Sequence, residues 1–130
     1  MLVDVVCALI IDEQGKVLAA RRSKSMDLPG KWEFPGGKVE PFEQAETAII
    51  REIKEELDIV IEISRTGPAH IHHYAQKSIR LIPFMCKQLS GTISLKEHES
   101  YDWFTAEQLK TLAWAEADIP ILNDYISSLT

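Results

Sequence analysis

Residues 51 to 58 read Arg-Glu-Ile-Lys-Glu-Glu-Leu-Asp. Glu52, Glu55 and Glu56 are spaced i, i+3 and i+4, so on a helix they lie within roughly 100° of one another and share one face. Like charges at that spacing cost about 0.2 to 0.5 kcal/mol per pair, and anions at a helix C-terminus add about 0.3 to 1 kcal/mol. A solvated acidic face relieved by Arg51 and Lys54 would account for the pattern without any function. A hard divalent cation, Mg²⁺ or alternatively Mn²⁺, instead turns the repulsion into affinity. Such ions take carboxylate oxygens and complete their shell with water and substrate phosphates.

These carboxylates need a rigid support. Ala45, Ala48, Ile49, Ile53 and Leu57 recur at helical spacing after Pro41, which predicts a helix over about 43–57. Upstream, 3–11 reads as a strand, "DEQGK" as a turn and "VLAARR" as the returning strand of a hairpin. "WEFPGGKVE" combines a short apolar stretch with a backbone turn at Pro35-Gly36-Gly37. Downstream, "IVIEI", "AHIHHY", "SIRLIPFMC", "TISL" and "YDWF" read as strands, with a turn at Ser90-Gly91. "TAEQLKTLAW" and "ADIPILNDYISSL" return to helical periodicity, with Thr105 as N-cap and Pro120 in the first turn of the last helix. This order predicts an α+β class with a mixed β-sheet, and the 130 residues read as a single domain, 1–130.

Composition narrows the function classes. With 45% hydrophobic and 26% charged residues the chain should fold as an ordinary globular protein, and its formal charge of -6 argues against a nucleic-acid polymer as partner. No apolar run is long enough to span a bilayer, and the apolar N-terminus lacks a basic leader, so no membrane partner and a cytoplasmic location are expected. Cys7 and Cys86, without CxxC spacing, read as buried thiols. "HIHH" at 70–73 splits its histidines between two strand faces without a cysteine at ligand spacing, which favours ordinary strand histidines over zinc. Trp103 and Trp114 read as packing residues.

The spacing of Gly37, Glu43, Arg51-Glu52 and Glu55-Glu56 strongly resembles the Nudix box, with Asp58 standing where the box carries a late glycine. The opening hairpin, "WEFPGGK", "KEHESYDWF" and "ADIPIL" are similar to the MutT branch, and most of all to bacterial CTP pyrophosphohydrolases. The resemblance implies a Nudix fold, a mixed β-sheet sandwiched between α-helices, that hydrolyses a nucleoside diphosphate linked to another group. It implies Glu52, Glu55, Glu56 and the Gly36 carbonyl as metal ligands, and a Glu43–Arg51 pair that holds the loop against the helix. It further implies Glu97 as the distal glutamate that completes the metal site or acts as base, with Glu99 as second choice on the same side of an extended strand. By the same resemblance Arg22 contacts phosphate and Asp118 contacts the base from the start of the last helix, and Lys38 joins the substrate-binding set. In the MutT branch, attack on the second phosphorus yields the monophosphate and pyrophosphate.

Two expectations rest on side-chain chemistry. An ionised Asp118 accepts hydrogen bonds and cannot donate them, so it favours a base edge that presents an amino group, such as cytosine N4. Its alternative is a helix N-terminal residue held by the dipole. Phe34 offers either a stacking surface or a core aromatic. The expected partner is a nucleoside triphosphate, cytosine nucleotides favoured and oxidised guanine nucleotides as the alternative, with the chain a monomer or homodimer. A Nudix enzyme of another substrate, or a catalytically silent sensing domain, would share much of this pattern. Loss of the box glutamates would mark the latter, and here they are all present.

Overall fold

A computed structural model describes residues 1–129. The chain runs β1 (Leu2–Ile10), β2 (Val17–Arg21), β3 (Trp32–Glu33), β4 (Gly36–Lys38), α1 (Ala45–Leu57), β5 (Ile59–Thr66), β6 (His70–His73) and β7 (Ser78–Gly91). It continues with β8 (Ser100–Phe104), α2 (Ala106–Leu109), a 3₁₀ turn (Glu116–Asp118) and α3 (Ile119–Ser128). The order β4-β1-β7-β5, with β6 also on β7, makes a five-stranded sheet in which β1 and β7 run parallel and the other pairs antiparallel. A second sheet has the order β3-β2-β8.

Alternation along β1 divides the core. Val6, Ala8 and Ile10 face Ala48, Ile49, Ile53 and Leu57 of α1, whereas Cys7 and Leu9 join Trp114, Ile121, Leu122 and Tyr125 on the opposite side. Both faces of the sheet are therefore covered by helix, and the expected mixed sheet between helices is the observed architecture. Cys7, Cys86 and Trp114 are buried, and Trp103 packs half-buried against the α1 side.

The turns expected at Ser90-Gly91 and Pro35-Gly36-Gly37 are not observed, since β7 runs through Gly91 and β4 begins at Gly36, and three further local expectations need correction. First, β1 and β2 are not a paired hairpin. They share one bridge, Ile11 to Val17, and then enter different sheets, because β1 spends one edge on β4 and the other on a nine-residue parallel register with β7. Second, "TISL" is not a strand. It crosses the end of α1, where the Ser94 and Lys96 N–H groups donate to the Leu57 and Glu56 carbonyls at 2.9 and 3.3 Å, two of the acceptors that a helix C-terminus leaves free. Third, α2 is one turn long. Its Thr105/Gln108 capping box forms as the sequence suggests, but the chain then leaves the helix so that Ala113 and Ala115 can bond to Trp32 of β3. The predicted strand at 70–73 is β6, and its His70 and His72 face Asp124 of α3 and Glu116 of the 3₁₀ turn, at 2.6 and 3.8 Å.

Candidate active site

One open cleft of about 980 Å³ takes side chains from both sheets and from both ends of the helical layer. Glu52, Glu55 and Glu56 enter it from α1, Gly36 and Lys38 from β4, Arg22 from the end of β2, Glu97 from the segment before β8 and Asp118 from the start of α3. Arg51 and Glu43 stand outside the lining residues and brace α1 from behind. The Arg51 guanidinium donates to both Glu43 oxygens, at 2.7 and 2.8 Å, and to the Lys38 carbonyl at 3.0 Å. This bidentate clamp holds the Glu43 carboxyl down to about 2, the hydrogen bonds from Arg51 being the main cause. It ties the loop that carries Glu43 to the middle of α1.

The glycines set how closely that loop approaches. A Cβ on Gly36 would lie 1.9 Å from the Val6 carbonyl oxygen, and one on Gly37 would lie 2.4 Å from the Glu52 carboxyl. Only glycine fits at 36, where the obstacle is backbone, whereas a side chain at 37 would push the Glu52 carboxyl aside. The Gly36 N–H donates to Glu56 Oε1 at 3.1 Å.

The acidic face is electrostatically strained. Burial, followed by repulsion from Glu33 and Glu52, pushes the Glu56 carboxyl up to about 8, against a lowering by the Gly36 hydrogen bond. Glu52 is also raised, chiefly by burial, while its hydrogen bond with Arg51 opposes the shift. Arg51 Nη1 bonds Glu52 at 3.0 Å and Glu55 at 3.2 Å and so partly neutralises the face. Among the described residues no three His, Cys, Asp or Glu side chains converge in a metal-holding cluster. The donor set is nonetheless all oxygen and carries excess negative charge, which suits a hard divalent cation in place of part of the Arg51 contact.

Glu97 and Glu99 turn apart instead of sharing a strand face. Residues 96–99 bend ahead of β8, so Glu97 lines the cleft whereas Glu99 points to Arg21 at 3.3 Å. The crossing of the α1 terminus by residues 94–96 brings Glu97 to the site. Arg22 donates to Glu33 Oε1 at 2.7 Å and to the Asp27 carbonyl. Phe34, 3% exposed, stacks at a tilt on Trp114 with centroids 4.6 Å apart, so it belongs to the core while also lining the cleft floor.

Asp118 differs from its expected state. It is 7% exposed, its Oδ2 accepts the Phe34 N–H at 2.8 Å, and burial pushes its carboxyl up to about 8. It occupies the N-cap position of α3, but its side chain makes no cap hydrogen bond. Near neutral pH much of it is protonated, so it can donate as well as accept. Sequence reasoning assigned no role to two further residues here, Glu33 and His98. Glu33 reads as the polar partner in a Trp-Glu-Phe alternation, and His98 as a lone histidine between two candidate glutamates, so neither carried a signal of its own.

The NUDIX domain model matches residues 1–125. The chain is 35% identical over 122 residues to the CTP pyrophosphohydrolase of Escherichia coli, covering 94% of this chain and 90% of that protein. It is 32% identical over 130 residues to a putative 8-oxo-dGTP diphosphatase 2 of Mycobacterium tuberculosis, covering 99% and 92%. Among solved structures, the Escherichia coli ORF135 protein superposes with a TM-score of 0.89 at 33% identity, covering 99% of this chain and 91% of that one. The MutT protein of Methanosarcina mazei superposes at 0.88 with 26% identity, covering 99% and 96%. The chain belongs to the Nudix family and is a Nudix hydrolase.

Proposed function

We propose that the protein hydrolyses a nucleoside triphosphate to the monophosphate and pyrophosphate, with cytosine nucleotides such as CTP or dCTP preferred and Mg²⁺ as cofactor, Mn²⁺ substituting. The supporting observation is that one cleft joins an acidic, oxygen-rich end at Glu52, Glu55, Glu56 and Glu97 to a buried hydrogen-bonding carboxyl at Asp118, with Arg22 also in its lining. That arrangement suits a metal, a polyphosphate and a base in series. The relatives named above as a CTP pyrophosphohydrolase and an 8-oxo-dGTP diphosphatase support the same class of substrate.

Glu52, Glu55, Glu56, Glu97 and the Gly36 carbonyl would hold the cation. When bound, it supplies charge neutralisation at the phosphates and acidifies the attacking water. Arg22, held at Nε by the Asp27 carbonyl and at Nη1 by Glu33, turns its Nη2 to the phosphate oxygens, and Lys38 adds a cation at the cleft wall. Glu55, Glu56 or Glu97 takes the proton of the water, and Glu43 acts through Arg51 to keep α1 in register with the loop. A protonated Asp118 donates to cytosine N3 and accepts from cytosine N4, a two-bond match. An ionised Asp118 instead accepts from the N1–H and N2–H of guanine, oxidised or not.

The test is a panel of CTP, dCTP, 8-oxo-dGTP, a dinucleotide and a sugar nucleotide with Mg²⁺, run on the wild type and Glu55→Gln, with hydrolysis in labelled water. Label confined to pyrophosphate, with CTP or dCTP turned over fastest, supports the proposal. Label in the nucleotide refutes the site of attack, and preference for a nucleoside diphosphate derivative refutes the substrate class. Release of nothing from any of them by the wild type points to a sensing domain.

A further inference from the structure

His98 is 6% exposed, with a side chain that is wholly enclosed, and the mechanism above leaves it unused. Its Nε2 lies 2.7 Å from Glu33 Oε2, and the other Glu33 oxygen accepts from Arg22 at 2.7 Å. Its Nδ1 is buried without a hydrogen-bond partner among the described residues and lies 3.7 Å from Glu56 Oε2. A hydrogen-bonded run, Arg22–Glu33–His98, thus leads from the guanidinium proposed for phosphate to a ring nitrogen that faces, at 3.7 Å, a carboxylate proposed for the metal. The neighbouring backbone is fixed as well, because the Glu99 N–H donates to the Arg21 carbonyl at 2.9 Å.

We infer that His98 is a positioning residue that holds Arg22, through Glu33, and Glu56 in mutual register, so that the phosphate grip and the acidic end of the cleft meet one polyphosphate at the right separation. An orphaned ring nitrogen in a sealed site is unfavourable unless a group beside it can turn to meet it, and Glu56 is that group. The bond at Nε2 fixes the ring plane, which in turn aims Nδ1 at Glu56. Anchoring residue 98 also fixes the peptide that presents Glu97 to the cleft.

The inference rests on the roles proposed for Arg22 and Glu56, and its two arms separate by substitution. His98→Gln places an amide near the Nε2 position and keeps the Glu33 arm, while His98→Asn places one near Nδ1 and keeps the Glu56 arm. His98→Gln should lower kcat and weaken the affinity for Mn²⁺ alone by about tenfold, the usual scale for residues that orient a ligand, with KM within about twofold of wild type. His98→Asn should raise KM by about tenfold with Mn²⁺ affinity near wild type. Glu33→Gln, which leaves His98 in place, should reproduce the KM effect and serves as control if a His98 variant does not fold. Equal losses in kcat, KM and Mn²⁺ affinity across the variants, or losses that only track the thermal midpoint, would overturn the inference, as would variants indistinguishable from wild type. A wild type that binds Mn²⁺ but hydrolyses no nucleotide refutes the proposed reaction, and the Mn²⁺ affinities of the variants then decide the Glu56 arm by themselves. A wild type that does not bind Mn²⁺ overturns both.

Discussion

Asp118→Asn should remove a pH dependence that the wild-type fold carries. Burial raises the Asp118 carboxyl to about 8 from an ordinary 3.8. Between those two values the folded chain holds a proton that the unfolded chain has released. Stability from this group is therefore fully present below pH 3.8 and is lost as pH rises through 8, with a slope of about 1.4 kcal/mol per unit. From pH 5 to pH 9 the loss sums to about 4 kcal/mol. Asparagine is neutral throughout, nearly isosteric, and its carbonyl still accepts the Phe34 N–H, so the variant lacks this slope. Denaturant unfolding of both proteins at pH 5, 7 and 9 measures the difference between them, which cancels the titration of Glu56 and every other shared group. Between pH 5 and pH 9 the variant should gain about 4 kcal/mol on the wild type. Parallel curves, or a wild type that gains on the variant over that range, would refute the burial argument. The same substitution checks base reading: wild-type turnover of 8-oxo-dGTP relative to CTP should rise with pH toward 8, whereas the variant should keep a fixed ratio that favours CTP. Equal ratios in the two proteins at every pH would remove Asp118 from the base contact.

Three further outcomes follow from backbone and clamp geometry. Phe42 has φ 65 and is fully exposed, so Phe42→Gly relieves a left-handed strain without losing burial and should raise stability by about 1 kcal/mol in chemical denaturation. Asp58 caps α1 at φ 58 and also pairs with Lys54 at 2.9 Å, so Asp58→Gly should raise the thermal midpoint by less than Phe42→Gly and leave turnover unchanged. A large change in turnover would give Asp58 a role beyond capping. Glu43→Gln keeps the shape of the side chain but weakens the bidentate grip on Arg51, and should lower kcat by about tenfold while circular dichroism shows α1 intact.

The part of the site that sequence reading reached most directly is the part built by a single helix. Glu52, Glu55 and Glu56 share one face of α1 because of the 3.6-residue turn, and the apolar stripe of Ile49, Ile53 and Leu57 that seats them is equally local. The hairpin reading of β1 and β2 went wrong for the complementary reason. Two apolar runs around a glycine turn look like neighbours, but the partner that claims β1 is β7, about eighty residues away, and parallel pairing leaves no nearby turn to announce it. "TISL" was misread because Ile93 and Leu95 pack against the α1 side of the core while its backbone caps a helix. The resemblance of "KEHE" and "ADIPIL" pointed to Glu97 and Asp118, while the ionised state assumed for Asp118 rested on side-chain chemistry alone and took no account of the burial that raises its carboxyl.

By itself, the sequence determined the acidic helix and pointed to its Glu43–Arg51 clamp, because each depends on residue types a few positions apart or on a pattern specific to one family. Tertiary structure alone decided that β2, β4, α1, the segment before β8 and the start of α3 open onto one cleft, that Glu97 faces inward while Glu99 faces out, and that a partly buried Glu33 and a buried His98 lie between Arg22 and Glu56. Those relations join residues far apart along the chain, and they arise from how two sheets and the helical layers exclude water from the polar groups between them.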